Sequence, residues 1–192
     1  MNILSYVILA CWVIFLLYWI ISARSVKETE ERAKGLSGQL WKLLLILGAI
    51  LIGNFFGLST VIPVLSHLLI PHTGIVNTLT VILLALGLAI AILARKKLAR
   101  NWSSSIAFKK DHELITTGIY RYVRHPIYTG LLLMLLGNAL FFATLGAAIG
   151  FLIVIISMFV KFSQEEKLLT KHFPAAYPAY KKKTKALIPF VL

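Results

Sequence analysis

Residues 126–160 run for 35 positions without a charged side chain. As one straight helix that stretch would measure roughly 52 Å, against a hydrocarbon core of about 30 Å. It therefore reads as two short antiparallel helices with a turn near Phe142–Gly146. Three more runs lack charge. Ile3–Ile21 is long enough for one crossing, has no basic residue before it and exceeds a signal-peptide core, so it reads as a retained span. Leu43–Ile70 is too long for one straight span and too short for two. Pro63 supplies a break, which places a span from Trp41 to about Thr60 and leaves Val61–Ile70 at the far interface. Gly74–Ala94 is closed by Arg95, Lys96 and Lys97. The expected fold is all-α: a polytopic integral membrane protein forming one domain over residues 1–192. Its five transmembrane helices fall at about 3–22, 41–60, 74–94, 126–141 and 145–161, followed by a helical cap.

Composition agrees. The chain is 59% hydrophobic and 14% charged, where a soluble domain is roughly 45–50% apolar and about 25% charged. That excludes a disordered chain and an ordinary soluble domain. The net charge is +13, and its placement decides its meaning. Five Lys/Arg lie between Arg24 and Lys42, eight between Arg95 and Arg124, and seven from Lys161 onward, which accounts for all twenty. The connections after the second and fourth spans hold none. By the positive-inside rule the basic segments are cytoplasmic and the N-terminus is outside. The charge then reads as topology and attraction to anionic membrane lipids, not as nucleic-acid binding. The single cysteine, Cys11, excludes an internal disulfide and any multi-cysteine metal site, and no metal is expected.

Chemistry must then come from two polar stretches, 101–130 and 161–189. In the first, Arg124 and His125 precede Pro126, a favoured first residue of a helix. A helix N-terminus beside Arg and His offers a seat for a carboxylate or phosphate. The same residues also suit interfacial anchoring to lipid phosphates. In the second, Lys161 and Glu165 share a helix face at i,i+4, which equally describes a surface ion pair. Lys181, Lys182, Lys183 and Lys185 suit lipid headgroups, and Tyr177 and Tyr180 with Pro174 and Pro178 suit a packed cap. His67 and His72 lie at the opposite face.

The order HELI (His112–Ile115), GIY (Gly118–Tyr120), RHPIY (Arg124–Tyr128), Glu165–Glu166, FPAAYPAY (Phe173–Tyr180), Thr184 and Pro189 resembles the isoprenylcysteine carboxyl methyltransferase and phospholipid methyltransferase families. Asn101–Trp102 also matches the entry to that region, and small five-span prokaryotic-type members look most similar. The resemblance covers the C-terminal half, about 101–192, and implies a membrane-embedded methyltransferase using S-adenosyl-L-methionine. It implies cofactor contacts at His112, Leu114, Ile115, Tyr120, His125, Pro126, Tyr128 and Glu165. Arg124 would support the cofactor carboxylate or the shape of the site, and the acceptor would be a lipid-like or prenylated molecule arriving from the bilayer. The residue types suit that cofactor. Arg, His and a helix N-terminus match its carboxylate, Glu165 its ammonium or ribose, and Leu114, Ile115 and Tyr120 its adenine. An acceptor that is already an anion needs no general base, so orientation and dry enclosure carry the rate.

Two positions depart from the family pattern. Lys161 stands where the family has an Arg that holds the acceptor carboxylate, keeping the charge but losing the bidentate fork. Pro174 stands for a Gly. Catalytic roles are therefore expected of Arg124, Lys161 and Glu165, with Lys161 at the substrate. The competing readings are amine methylation of a phospholipid, an NADPH-dependent lipid reductase with a similar Arg-His-Pro-x-Tyr corner, and a non-catalytic membrane scaffold.

Overall fold

The computed structural model describes residues 3–32, 37–54 and 57–188. Pro189, the last residue of the resemblance, lies outside them. The chain runs α1 (Ile3–Ala23), β1 (Thr29–Arg32), α2 (Ser37–Gly53), α3 (Leu58–Val61), α4 (Gly74–Leu98), β2 (Ala107–Lys109), α5 (Pro126–Phe142), α6 (Leu145–His172) and α7 (Ala176–Lys183). Single 3-10 turns sit at Pro63–Ser66, Ala99–Asn101 and Gly118–Arg121. Among the described residues, three helical stretches are long and apolar enough to cross a membrane: Ile3–Ala23, Gly74–Asn101 and Leu145–His172. Gln39–Gly53 and Pro126–Phe142 are apolar but shorter. The protein is a mostly helical integral membrane protein.

Local chemistry sets the helix ends. Thr73 and Thr144 cap α4 and α6, each hydroxyl accepting from the amide three residues on, at 3.3 and 3.2 Å. Arg95, Lys96 and Lys97 fill the last turn of α4, where cations suit the helix dipole. Pro126 opens α5. The α5–α6 turn passes through Ala143 with φ 53, inside the window expected for it. Leu68–Leu69 packs against that turn: Leu69 N donates to Ala143 O at 2.8 Å and Leu145 N to His67 O at 2.9 Å.

The bundle is built on two close helix pairs, α4 with α5 and α2 with α6. Both cross at facing glycines. A Cβ on Gly87 would come within 2.5 Å of Gly130 O, and one on Gly150 within 2.6 Å of Gly48 O. Small residues let backbones approach where lipid supplies no hydrophobic drive between helices. Met134, Leu84, Ala91 and Phe15 fill the first crossing, and Val154, Met158, Leu135 and Ile52 the second.

Two local features add detail to the expected layout. The second helix ends at Gly53 rather than near Thr60. Asn54 turns left-handed at φ 49 and its amide exchanges hydrogen bonds with Ser59, at 2.8 and 3.0 Å, which competes with further helix. The mostly helical fold also holds one small two-stranded sheet. Strands β1 and β2 pair antiparallel, Glu31 opposite Phe108 and Arg32 opposite Ala107, joining the first and third polar loops.

Candidate active site

Helix α6 continues eleven residues past Lys161 to His172, farther than the expected end of the fifth span. This extension carries Glu165 and Glu166 beyond the apolar bundle. Adjacent residues on a helix point about 100° apart, so the two carboxylates meet different partners. Glu165 faces α5, where the Tyr128 hydroxyl donates to its oxygens at 2.6 and 2.7 Å. Glu166 faces the Arg124–His125 corner.

That corner is held by backbone as well as side chains. Arg124 N donates to Lys185 O at 2.8 Å and His125 N to Ala186 O at 2.9 Å. Thr129 Oγ1 donates to Leu187 O at 2.7 Å. The segment after α7 is thereby strapped across the N-terminus of α5, with Ala186 and Leu187 packed against Phe162. Arg124 Nε donates to Glu166 Oε1 at 2.8 Å, and its Nη1 reaches Thr184 O and Lys181 O. Lys181 Nζ lies 2.6 Å from Glu166 Oε2. The His125 ring is buried between Tyr128 and Phe162, its Nε2 3.2 Å from Glu166 and its Nδ1 3.9 Å from Glu165.

A second wall comes from the loop after α4. Arg95, 2% exposed, donates to Ser22 O and Ala99 O, both at 2.6 Å, so it ties the ends of α1 and α4 together. Its guanidinium lies 4.6 Å over the Trp102 ring. Strand β2 presents Phe108, stacked between His172 at 3.6 Å and His112 at 4.9 Å. Burial, assisted by the charges of Lys27, His172 and Lys109, lowers His112 to about 4, so its ring is neutral at pH 7. Glu31 of β1 binds Lys171 and His172, each at 2.8 Å, and those hydrogen bonds hold it below the usual carboxylate range.

These walls enclose a cleft of about 860 Å³, open mouth included. His112, Leu114, Ile115, Tyr120, Arg124, His125, Tyr128 and Glu165 all line it. Pro126 is buried at the first turn of α5 and is not on its surface. Lys161 sits one turn before Glu165, its Nζ 3.9 Å from Glu165 Oε1, behind the cleft wall. Tyr120 is buried, its hydroxyl pushed up by that burial and donating to Ala94 O at 3.4 Å, and its carbonyl accepts the Tyr180 hydroxyl at 2.5 Å. Tyr180 itself is pushed up to about 12, chiefly by burial.

Two polar atoms in the lining lack a partner among the described residues: His112 Nδ1 and the Tyr177 hydroxyl. Buried polar atoms are normally paired, so these two stand out in the lining. With Glu165 and the apolar Leu114, Ile115, Leu168 and Leu169, the lining suits a ligand with an apolar ring and several polar groups. Phe108, Tyr177 and the clamp residue Glu166 were not singled out as site residues by the sequence. The Glu-Glu pair was visible there, but only the helix phase separates the two roles.

Residues 78–171 match the isoprenylcysteine carboxyl methyltransferase (ICMT) family. The chain is 33% identical over 111 residues to the protein-S-isoprenylcysteine O-methyltransferase of Schizosaccharomyces pombe, covering 56% of this chain and 47% of that one. It is 31% identical over 122 residues to that of Saccharomyces cerevisiae, covering 62% and 51%. Arabidopsis thaliana protein-S-isoprenylcysteine O-methyltransferase B is 29% identical over 157 residues, covering 76% and 79%. The matched region thus spans about half the length of the two yeast relatives. On the family match and these relatives together, the chain is similar to the isoprenylcysteine carboxyl methyltransferase family over residues 78–171.

Proposed function

We propose that the chain is an S-adenosylmethionine-dependent methyltransferase acting on a lipophilic carboxylate, of the isoprenylcysteine type. One observation carries the reading: a single cleft at the end of the apolar bundle gathers eight of the residues proposed for cofactor and catalysis and leaves two buried polar atoms unpaired. When bound there, S-adenosyl-L-methionine supplies an electrophilic methyl group. Glu165, oriented by Tyr128, takes the ligand's ammonium or ribose. Neutral His112 and Tyr177 offer their unpaired atoms to its remaining polar groups. Leu114, Ile115 and Tyr120 wall the adenine. His125 and Arg124 give the cleft its shape through Glu166, and Arg124 contributes positive potential toward the carboxylate. Pro126 sets the start of α5 and hence the phase of Tyr128. The acceptor enters from the bilayer beside Lys161, whose ammonium receives its carboxylate. An ionised carboxylate attacks without a general base, so the protein's contribution is alignment and exclusion of water.

In the same reading the membrane domain has five spans, α2 and α5 crossing beside the three long helices. The N-terminus is outside, and the cleft, formed by about 101–192, faces the cytoplasm. Amine methylation would need a base at the acceptor, and Glu165, the carboxylate beside Lys161, is already engaged by Tyr128.

Calorimetry of the detergent-solubilised full chain tests this. S-adenosylhomocysteine is expected to bind, with affinity lost in Glu165→Ala and His125→Ala, and NADP⁺ is expected not to bind. Binding of NADP⁺ alone would move the assignment to a reductase. Labelled S-adenosylmethionine with membrane lipid extract should yield base-labile methyl ester, whereas base-stable label would identify an amine acceptor.

A further inference from the structure

Trp41 lies on α2, outside the residues that match the family. Two contacts fix it. The α2–α6 crossing at Gly48 and Gly150 leaves no room for sliding, and two turns further along α6 the Ser157 hydroxyl donates to Trp41 O at 2.6 Å. The Trp41 ring centroid is then 4.2 Å from Lys161 Nζ, and the Tyr128 ring of α5 approaches the same nitrogen at 5.0 Å. Trp41 and Lys161 are each 7% exposed. The exposed Lys42 approaches the Trp41 ring as well, but less closely, at 5.7 Å.

An ammonium carries three donors. Among the described residues Lys161 Nζ reaches one acceptor, Ser104 O at 3.4 Å. The nearest carboxylate oxygen, of Glu165, is 3.9 Å away, and Glu165 already takes the Tyr128 hydroxyl. Lys161 is therefore a buried cation held by two aromatic faces, one long hydrogen bond and a loose ion pair with Glu165. Aromatic faces fix a cation's position without neutralising its charge or occupying its N–H groups. Such a group is prepared for an anion, because burial makes a weakly matched charge costly.

We propose that Trp41 is a specificity-determining positioning residue, its indole face fixing the Lys161 ammonium so that the pair admits an anionic acceptor head group. The proposal rests on the reading of Lys161 as the acceptor-binding residue and adds a requirement for α2. Trp41 acts through Lys161, and it does not line the cofactor cleft.

The test is site-specific replacement of Trp41 by tryptophan carrying one, two or three ring fluorines, in the full chain. Fluorine drains the negative ring face at nearly constant shape. The readouts are KM and kcat for N-acetyl-S-farnesylcysteine and the calorimetric Kd for S-adenosylhomocysteine. KM is expected to rise stepwise, by about tenfold at three fluorines, with kcat and Kd within about twofold of the parent. Trp41→Phe should fall inside that series. A KM that stays flat along the series overturns the proposal, and so does loss of S-adenosylhomocysteine binding in parallel with KM, which marks Trp41 as structural. Binding of S-adenosylhomocysteine by the unmodified chain without methyl transfer to the farnesylated carboxylate also overturns it. An unmodified chain that neither binds S-adenosylhomocysteine nor transfers methyl fails at the earlier step and rejects the methyltransferase reading itself.

Discussion

Arg124 Nε and Glu166 Oε1 lie 2.8 Å apart across 42 residues of chain, both side chains more than nine-tenths buried. The pair joins the start of α5 to the extension of α6, and Lys181 closes it from α7. Removing one partner of such a pair leaves a buried charge unmatched. Glu166→Gln is expected to lower stability by about 3 kcal/mol, read as thermal unfolding in detergent. Arg124→Lys should recover less than half of the loss of Arg124→Ala, since lysine cannot serve Glu166 and two carbonyls at once. An unchanged unfolding curve for both variants would show that the strap is held by its backbone bonds alone.

Glu165 makes a different contact, and its variants should separate from those of Glu166. Tyr128→Phe removes one hydroxyl that donates to both Glu165 oxygens. A hydrogen bond to a charged group is worth about 1.5–3 kcal/mol. Calorimetry with S-adenosylhomocysteine should show affinity falling roughly tenfold or more in Tyr128→Phe and further in Glu165→Ala. Stability should fall by no more than that bond is worth, about 1.5–3 kcal/mol, in Tyr128→Phe. An affinity unchanged in Tyr128→Phe would make the Tyr128–Glu165 contact a packing feature.

Why the sequence told so much about one half of this picture and little about the other follows from range. The α5–α6 turn was legible because no bilayer accommodates 35 uncharged residues in one helix. The pairing of β1 with β2 was not, because TEER and AFK carry no alternating apolar pattern. The end of α2 was missed because the uncharged run continues past Asn54, and only its left-handed turn and the bonds to Ser59 stop the helix. Motif order assembled His112, Tyr120, His125, Tyr128 and Glu165, while Glu166 needed the three-dimensional phase of α6. Trp41 was read as the opening of a span. Its place over Lys161 depends on a glycine crossing that spacing does not encode.

His112 gives the stability a defined acid limb. Its folded value is about 4 and its ordinary value 6.5, because burial opposes the charged ring. Between those values the unfolded chain binds more proton than the folded one, so stability falls as pH drops from about 6.5 toward 4. Above 6.5 both states carry the neutral ring and this group contributes no slope. Glu31, held low by Lys171 and His172, works in the same sense below its ordinary 4.5. The difference between the parent chain and His112→Gln isolates the histidine. Denaturant unfolding at pH 7 and pH 5 should show the parent losing more stability than His112→Gln, and equal losses would place the titrating group elsewhere.

Orientation is the last consequence of the charge pattern that the bundle makes testable. All twenty Lys/Arg fall in the segments joined at the cleft end, and the Ser59–Thr73 and Ala143–Thr144 connections carry none. Moving either basic loop across a membrane is costly, so the cleft should face the cytoplasm. In a Cys11→Ala background, single cysteines at the exposed positions His72, Lys110 and Lys183 report the two ends. A membrane-impermeant maleimide applied to intact cells should label His72→Cys at once. Lys110→Cys and Lys183→Cys should label only after permeabilisation. The reverse pattern would put the cleft outside, away from any cytoplasmic supply of S-adenosylmethionine, and would remove the topological basis of the proposed activity.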